Sequence, residues 1–405
     1  MSKKTITFDK MKHIFDKYFY LEHDPDFLKV ILATIIANRL DTVPVWLMVI
    51  GAPSSGKSKM LTTLDRCDET IDIDIIGTKS LVSGLKKKDT EDKKEASLLP
   101  KLNNKVVLVK DGSTIFSANP LERKVILSQL RQAFDGSLVK SSGAGIKSFD
   151  NIKFGMIVNI TPSTEMTVML ESDLGERFIM FKLEPMVHGE DFFDLINSTI
   201  NKQSKGKQSM QDAVKEFIDN CGTPKEIISD HRIYNLSKLL MVLKTPAIRD
   251  RYTKEIEQPM NIGLSESIRF VQQLNALYTS LYHIIGNKQN SLNIVYRIIK
   301  DNIPTIRLMI IRAIHKNSDI NQKEISELLG MSETAVSRYI EEMIILNILK
   351  KIEFMSSTVK PVMENDKNVE KKMNKMSHRF EINTKYMDLF KIFPYSWDKD
   401  YEFEG

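Results

Sequence analysis

The distribution of apolar residues predicts a helical start followed by a central sheet. Residues 1–40 are helical in pattern, and the run Phe27–Leu40 is apolar on more than one face, which predicts a buried helix. From Val43 onward, short apolar runs alternate with helix-like segments. Strands that alternate with helices form mostly parallel sheets covered on both faces, so an α/β fold is expected. The candidate strands are Val43–Ile50, Thr70–Ile76, Lys105–Val109, Phe154–Ile160 and Phe178–Leu183.

Polar and glycine-containing stretches divide the rest of the chain. Ser137–Phe149 has a Ser/Gly-rich centre between apolar flanks, which predicts a β-hairpin just before the fourth strand. The polar stretch Asn197–Ser209 is interpreted as a linker, and the residues after it are again helical in pattern. Asp319–Lys351 contains a helix, a turn at Gly330 and a second helix, the pattern of a helix-turn-helix.

These boundaries predict four parts. They are an N-terminal helical segment (1–40), an α/β core with the hairpin (41–196), a helical unit (197–290) and a C-terminal winged-helix domain (291–405). A length of 405 residues is too great for one ordinary core, which agrees with a division into several domains.

The composition narrows the class of protein but does not indicate its function. Hydrophobic content of 42% and charged content of 27% are typical of a globular protein, and a net charge of +5 permits nucleic-acid binding only through local patches. Two cysteines, Cys67 and Cys221, are too few for a disulfide framework. Because no signal peptide or membrane-spanning run is apparent, a cytoplasmic protein without a membrane partner is expected.

The stretch GAPSSGKS, Gly51–Ser58, fits the phosphate-loop pattern G-x-x-x-x-G-K-[ST]. It follows an apolar strand and opens a helix-compatible segment, as that motif requires. Backbone N–H groups of such a loop face phosphate oxygens, while Lys57 reaches the β- and γ-phosphates and the Ser58 hydroxyl ligates Mg²⁺. The pattern therefore predicts ATP and Mg²⁺ as cofactors. The predicted nucleotide-binding residues are Gly51, Pro53, Ser54, Ser55, Gly56, Lys57 and Ser58.

The strand Lys105–Val109 ends in Lys110-Asp111, where such ATPases commonly carry two acids. If Lys110 and Asp111 are aligned with those two acids, Lys110 takes the metal-binding position and Asp111 the water-activating position. In the other alignment, Asp111 ligates the metal and Gly112 replaces the base. Either way one acid is available locally. The role of Lys110 stays open, and the alternative to a role in the site is a charge at a strand end.

Three further polar residues are candidates for the same reaction. Asn159, or alternatively Thr161, ends the fourth strand and is expected to orient the attacking water. Arg177 precedes the fifth strand, where an arginine can stabilise the transition state on a neighbouring subunit or simply form a surface salt bridge. Arg269, in ESIRFVQQL, lies in the helical unit that follows.

The order of these motifs resembles the AAA+ ATPases, and more narrowly the MCM-like replicative helicases of phages and mobile genetic elements, including staphylococcal cassettes and pathogenicity islands. The resemblance covers about residues 20–351 and rests on GAPSSGKS, LLPKLNNKVVLVKD, LRQAFDGS and LGERF. It implies a sheet order of 5-1-4-3-2, a helical lid and a ring, expected to be a hexamer. It also implies that Arg177 acts in trans and that Arg269 senses the nucleotide. The 40 residues at the front cannot supply the large N-terminal collar of cellular MCM proteins.

Two surfaces are candidates for DNA. Lys140 and Lys147 on the hairpin would face the channel of such a ring and hold phosphates without reading sequence. Ser337 and Arg338 lie on the predicted recognition helix of the winged helix. Basic and acidic residues are equal in number over residues 300–405, so a protein-binding role for that domain stays open.

Two functions follow from this sequence. The first is an ATP-dependent DNA helicase that replicates a mobile genetic element. The alternative is an AAA+ helicase loader or protein-remodelling ATPase that uses the winged helix for recruitment. A GAFTGA-like loop, which transcription activators of this group carry, is absent from the sequence. A sequence-specific regulator with a vestigial ATPase is disfavoured because Lys57, Ser58, Arg177 and Arg269 are all retained.

Overall fold

A computed structural model describes the greater part of the chain, which folds into two compact units. The first comprises Met1–Tyr234 and Leu264–Ile298, and the second Asn235–Gly263 and Ile299–Gly405. The described residues are 6–19, 24–82, 97–142, 145–164, 177–184, 203–245, 248–249, 256–257, 264–364, 367–384 and 386.

A five-stranded parallel sheet forms the centre of the first unit, so the α/β class is confirmed. The strands of this sheet are β1 (Trp46–Ile50), β2 (Thr70–Asp72), β3 (Val106–Val109), β6 (Gly155–Ile160) and β7 (Phe178–Lys182). Strands β4 (Ser137–Ser142) and β5 (Gly145–Asp150) form a separate hairpin. Across the sheet the order is β2-β3-β6-β1-β7. Every residue of β1, β3 and β6 is buried, because helices cover both faces of a parallel sheet.

Helices make up much of the described chain outside the sheet. Those that begin before residue 299 are α1 (Phe8–Tyr18), α2 (Pro25–Ala37), α3 (Lys57–Thr62), α4 (Leu99–Leu102), α5 (Ser113–Phe116), α6 (Pro120–Phe134), α7 (Gln203–Cys221), α8 (His231–Lys244), α9 (Leu264–Ile285) and α10 (Lys288–Asp301). The apolar helix predicted within Phe27–Leu40 is α2, which is buried along almost its whole length and packs against α9. Asn119 caps α6 by accepting a hydrogen bond from the backbone N–H of Glu122.

Trp46, the first residue of β1, is fully buried in the core of the first unit. Its ring contacts Phe134 at 5.0 Å and Phe178 at 5.2 Å between centroids. The indole N–H donates to the Phe154 carbonyl at 2.8 Å, so the one polar atom of this buried side chain is paired. The backbone N–H of Trp46 donates to Gln273 Oε1 at 3.1 Å, which ties α9 to β1.

The second unit contains a helix-turn-helix followed by a β-ribbon. Its elements are β8 (Ile248–Arg249), β9 (Ile256–Glu257), α11 (Thr305–Lys316), α12 (Gln322–Leu329), α13 (Glu333–Ile345), β10 (Leu349–Glu364) and β11 (Lys367–Ile382). Asn321 and Glu324 form a capping box at the start of α12, and Gly330 ends that helix at φ +60°. Strands β10 and β11 pair antiparallel from Leu349↔Ile382 to Glu364↔Lys367, a ribbon of roughly 50 Å.

The structure can be compared with the predicted hairpin, second strand and linker. The hairpin predicted at Ser137–Phe149 is confirmed as β4–β5. The second predicted strand, Thr70–Ile76, ends at Asp72. The linker predicted at Asn197–Ser209 is wrong from Gln203 onward, where α7 begins, while residues 197–202 lie outside the described part. Gly206 does not break this helix; it lets α7 approach α1, since an added Cβ would lie 2.7 Å from the Tyr18 ring.

Candidate nucleotide site and DNA-binding surfaces

The segment Gly51–Ser58 leaves the carboxyl end of β1 as a tight loop and enters α3. Ser54 and Gly56 adopt left-handed backbone conformations, at φ +66° and +83°, which give the loop its curl. A Cβ at Gly51 would lie 2.9 Å from Ser55 Oγ, and one at Gly56 would lie 2.9 Å from the Phe19 ring. Both glycines are therefore required by close contacts. Pro53 and Ser54 lie on the exposed side of the loop.

Lys57 is the first residue of α3 and lies against the loop itself. Its ammonium donates to the Gly51 carbonyl at 2.5 Å, the Ala52 carbonyl at 2.7 Å and Ser55 Oγ at 3.1 Å. The residue is 8% exposed. Burial lowers the pKa of its ammonium, and the charge of Asp111 opposes that shift.

The carbonyl of Lys110 is the point at which three chain segments meet. Ser58 Oγ donates to it at 3.2 Å, and Asn159 Nδ2 approaches it at 3.5 Å. Asn159 is 2% exposed, and its Oδ1 accepts no hydrogen bond from any residue in the described part of the chain. A buried amide oxygen without a donor is costly unless a ligand or water satisfies it. The other candidate, Thr161, uses its hydroxyl locally with Ser163 at 2.8 Å and Thr164 at 3.1 Å.

The side chain of Lys110 forms ion pairs with two aspartates. Its ammonium lies 2.7 Å from Asp72 Oδ2 and 3.1 Å from Asp65 Oδ1. Burial by itself would lower the pKa of Lys110, but the hydrogen bonds to Asp72 and Asp65 raise it above the ordinary value. Burial raises the pKa of Asp72, and Asp65 beside it adds to this against the opposing effect of Lys110. Lys110 is therefore more than a charge at a strand end, since it forms ion pairs with two acids beside the site.

Asp111 and Gly112 follow Lys110 in a turn that leads into α5. The exposed Asp111 carboxylate accepts a hydrogen bond from the Ser113 backbone N–H at 2.9 Å. Gly112 packs directly on β6, where a Cβ would lie 2.4 Å from Val158 Cγ1 and 2.9 Å from Ile160 Cγ2. A side chain at position 112 would have to displace β6, and Asp111 carries the carboxylate of this turn.

Arg177 and Arg269 both approach one carboxylate, that of Asp135. Arg177 Nη2 donates to Asp135 Oδ2 at 2.7 Å, and Arg269 Nη2 lies 3.6 Å from Asp135 Oδ1. The guanidinium of Arg177 also lies over the Phe134 ring, with its central carbon 5.7 Å from the ring centroid. The side chain of Arg177 is 8% exposed and that of Arg269 is 42% exposed. Sequence reasoning missed Asp135, since no spacing rule joins residues 135, 177 and 269.

The hairpin carries its two lysines as a cross-strand pair. Lys140 lies opposite Lys147, an arrangement of like charges that is unfavourable unless an acceptor or anion compensates it. The ammonium of Lys140 donates to the carbonyls of Thr78 at 3.2 Å and Val82 at 2.9 Å. Val139 and Ile146 on the same hairpin are 58% and 75% exposed.

The helix-turn-helix of the second unit presents an exposed basic residue. Ser332 caps α13 by accepting a hydrogen bond from the Ala335 backbone N–H. Ser337 Oγ donates to Glu341 Oε1 at 3.2 Å, whereas Arg338 is exposed. The buried Arg307 of α11 binds Glu342 at 2.9 Å and the Leu243 carbonyl at 2.6 Å. These contacts fix α11 and α13 relative to one another.

Comparison with known proteins identifies the C-terminal domain. Residues 304–350 match the family model of winged helix-turn-helix DNA-binding domains. This range contains α11, α12 and α13 and reaches the start of β10, so the second unit includes a DNA-binding winged helix and DNA is supported as a partner. A search of curated proteins finds no match to the chain.

Among the helices of the described residues, none combines the length and the apolar character that a bilayer-spanning segment needs. The same residues contain no group of three or more His, Cys, Asp or Glu side chains placed to hold a metal ion. Cys67 and Cys221 are both free thiols.

Proposed function

We propose that the chain is an ATP-dependent DNA helicase or translocase that works as a ring of AAA+ subunits, expected to be a hexamer. Within the family that it resembles, such a motor unwinds DNA to replicate a mobile genetic element. The observation that carries the proposal is the meeting of Ser58, Lys110 and Asn159 at the carboxyl edge of the sheet, beside Lys57 and its loop.

The residues at this edge fit ATP and Mg²⁺. The curled loop and the start of α3 offer backbone N–H groups to phosphates, and Lys57 supplies a cation at the same place. Ser58 and Asp111 would ligate Mg²⁺, which neutralises phosphate charge during phosphoryl transfer. The buried Asn159 amide has an unsatisfied oxygen at the position proposed for the attacking water.

The sheet and the two arginines support the AAA+ class. Counted among the five sheet strands alone, the order is 2-3-4-1-5, which is the implied order 5-1-4-3-2 read from the other edge. Arg177 immediately precedes the fifth of these strands, and Arg269 lies on α9. In the proposed ring, Arg177 acts on the nucleotide of a neighbouring subunit and Arg269 responds to the nucleotide of its own.

The hairpin and the winged helix are the proposed DNA contacts. Lys140 and Lys147, a cross-strand pair on one face of the hairpin, would hold the phosphates of single-stranded DNA in the channel. Arg338 would bind the phosphates of duplex DNA. Replacing Arg338 by alanine should then weaken duplex binding and reduce the slope of log K against log salt by about one.

The deciding experiment is strand displacement on forked DNA with 3′ or 5′ tails. Wild type should unwind the fork only with ATP, and Lys57→Ala should lower hydrolysis by about a hundred-fold or more and abolish unwinding. Lys124→Ala, on the exposed face of α6, is the matched control and should behave as wild type. Lys140→Ala should reduce unwinding more than hydrolysis of ATP.

A second assay tests whether sites are shared between subunits. Arg177→Ala and Lys57→Ala proteins, each inactive alone, should partly restore hydrolysis when mixed, because some interfaces then combine an intact loop with an intact arginine. If ATP is hydrolysed but no fork is ever unwound, the helicase proposal fails. Recovery of a partner helicase in a pull-down would then favour the loader.

A further inference from the structure

Asp135 joins the DNA hairpin to the two arginines of the proposed ATPase. It is the residue after the last turn of α6, and the hairpin strand β4 begins two residues later at Ser137. Its carboxylate lies 2.7 Å from Arg177 and 3.6 Å from Arg269. A single exposed acid thus lies between an element proposed to touch DNA and two side chains proposed to touch nucleotide.

The two ends of the hairpin are joined by a backbone hydrogen bond next to this carboxylate. Gly136 adopts φ +87°, a conformation that favours glycine, and its carbonyl accepts a hydrogen bond from the Ile152 backbone N–H at 3.1 Å. Both ends of the hairpin therefore meet at Gly136, next to Asp135. Lys140 and Lys147, the proposed DNA contacts, lie farther along the same hairpin.

Arg177 is shielded in this conformation. Its side chain is 8% exposed, with the Asp135 carboxylate on one nitrogen and the Phe134 ring beside the guanidinium. A guanidinium that is buried in this way cannot contact a phosphate on another subunit without first moving. Burial also lowers the pKa of Arg177, which indicates that the charge is poorly solvated where it lies.

We infer that Asp135 is a positioning residue that retains Arg177 and Arg269 until DNA displaces the hairpin. The inference rests on the proposed ring ATPase. When a bound strand moves β4 and β5 about Gly136, the carboxylate of Asp135 shifts and the arginines become available to nucleotide. Hydrolysis is thereby kept low while no DNA is bound.

Chemical modification of Arg177 tests the retention without depending on hydrolysis. Wild type, Asp135→Asn and Asp150→Asn proteins are treated with phenylglyoxal, and Arg177 is followed by peptide mass spectrometry. Asp135→Asn should raise the modification rate about five-fold, the change produced by an interaction of about 1 kcal/mol. Asp150 is the matched control because it pairs with Ser137 at the same hairpin base and is exposed.

The same proteins are then compared with and without single-stranded oligonucleotide. In wild type, DNA should raise both the modification rate of Arg177 and the rate of ATP hydrolysis. In Asp135→Asn, hydrolysis without DNA should already be raised and further stimulation lost, whereas Asp135→Glu should retain the wild-type response. A purely structural role would lower hydrolysis in both conditions.

Two results would overturn the inference. One is an Arg177 modification rate in Asp135→Asn equal to that of wild type. The other is a wild-type rate that DNA leaves unchanged. If instead wild type hydrolyses no ATP while Asp135→Asn still exposes Arg177, the proposed function fails and the retention by Asp135 stands.

Discussion

Gly112 is the position at which the structure makes the most specific stability prediction. Its φ of −75° suits any residue, so alanine would introduce no backbone strain. The difficulty is space, because the new Cβ would lie 2.4 Å from Val158 Cγ1 and 3.1 Å from the Asn159 carbonyl oxygen. Carbon atoms in contact are normally about 3.5–4.0 Å apart, so a displacement of about 1 Å is needed.

The atoms in the way are poorly able to move. Val158 is β-branched and fully buried in β6, between β3 and β1. Overpacking of this kind costs about 1–3 kcal/mol, and we expect Gly112→Ala to lower the free energy of unfolding of the first unit by that amount. Since Asp111 precedes the displaced turn, hydrolysis of ATP should fall as well.

Urea unfolding followed by Trp46 fluorescence measures this cost, in a Trp397→Phe background that leaves one tryptophan. Gly77→Ala is the matched control, since its Cβ would meet only Ser80 Oγ at 3.6 Å, and it should stay within about 0.5 kcal/mol of wild type. Adding Val158→Ala to Gly112→Ala should cost less than the sum of the two single changes. A Gly112→Ala protein as stable as the control, or strictly additive costs, would refute the clash.

Further predictions concern charge and thiol chemistry. Asp111→Asn should abolish ATP hydrolysis; calorimetric Mg-ATP affinity then separates a metal ligand, whose loss weakens binding, from a water-activating base, whose loss does not. Lys110→Ala should destabilise the protein more at pH 7 than at pH 4 in thermal unfolding. The raised pKa of Asp72 means that its ionisation already costs stability as the pH rises, and the cost grows without the lysine. Iodoacetamide should label Cys221 before Cys67, because burial raises the pKa of the Cys67 thiol to about 12; equal rates would contradict this.

The parallel sheet was predictable because its strands are continuous apolar runs. A strand buried on both faces needs apolar residues at every position, and the runs in β1, β3 and β6 stand out in the sequence. The hairpin was predictable from local turn chemistry. The linker prediction failed from Gln203 onward because polar residues also form the exposed face of a helix. The contact of Gly206 with Tyr18, which holds this helix against α1, leaves no local signal in the sequence.

The candidate site was predictable only where its residues are contiguous in the sequence. The loop Gly51–Ser58 is one contiguous stretch, so its motif is visible in the sequence. The ion pairs of Lys110 with Asp65 and Asp72, and of Asp135 with Arg177, join residues 38 to 45 positions apart. Such pairings depend on sheet order and helix placement, which charge patterns along the chain do not encode.

The buried contact between Arg297 and Asp24 has a consequence for the order in which the protein forms. The guanidinium binds both carboxylate oxygens of Asp24, at 2.7 and 2.6 Å, across 273 positions of sequence, and lies over the Phe181 ring. The first unit therefore needs a segment that leaves the ribosome only after residues 235–263 of the second unit. Its sheet can assemble early during translation, but the buried carboxylate of Asp24 gains its partner only after Arg297 has been synthesised.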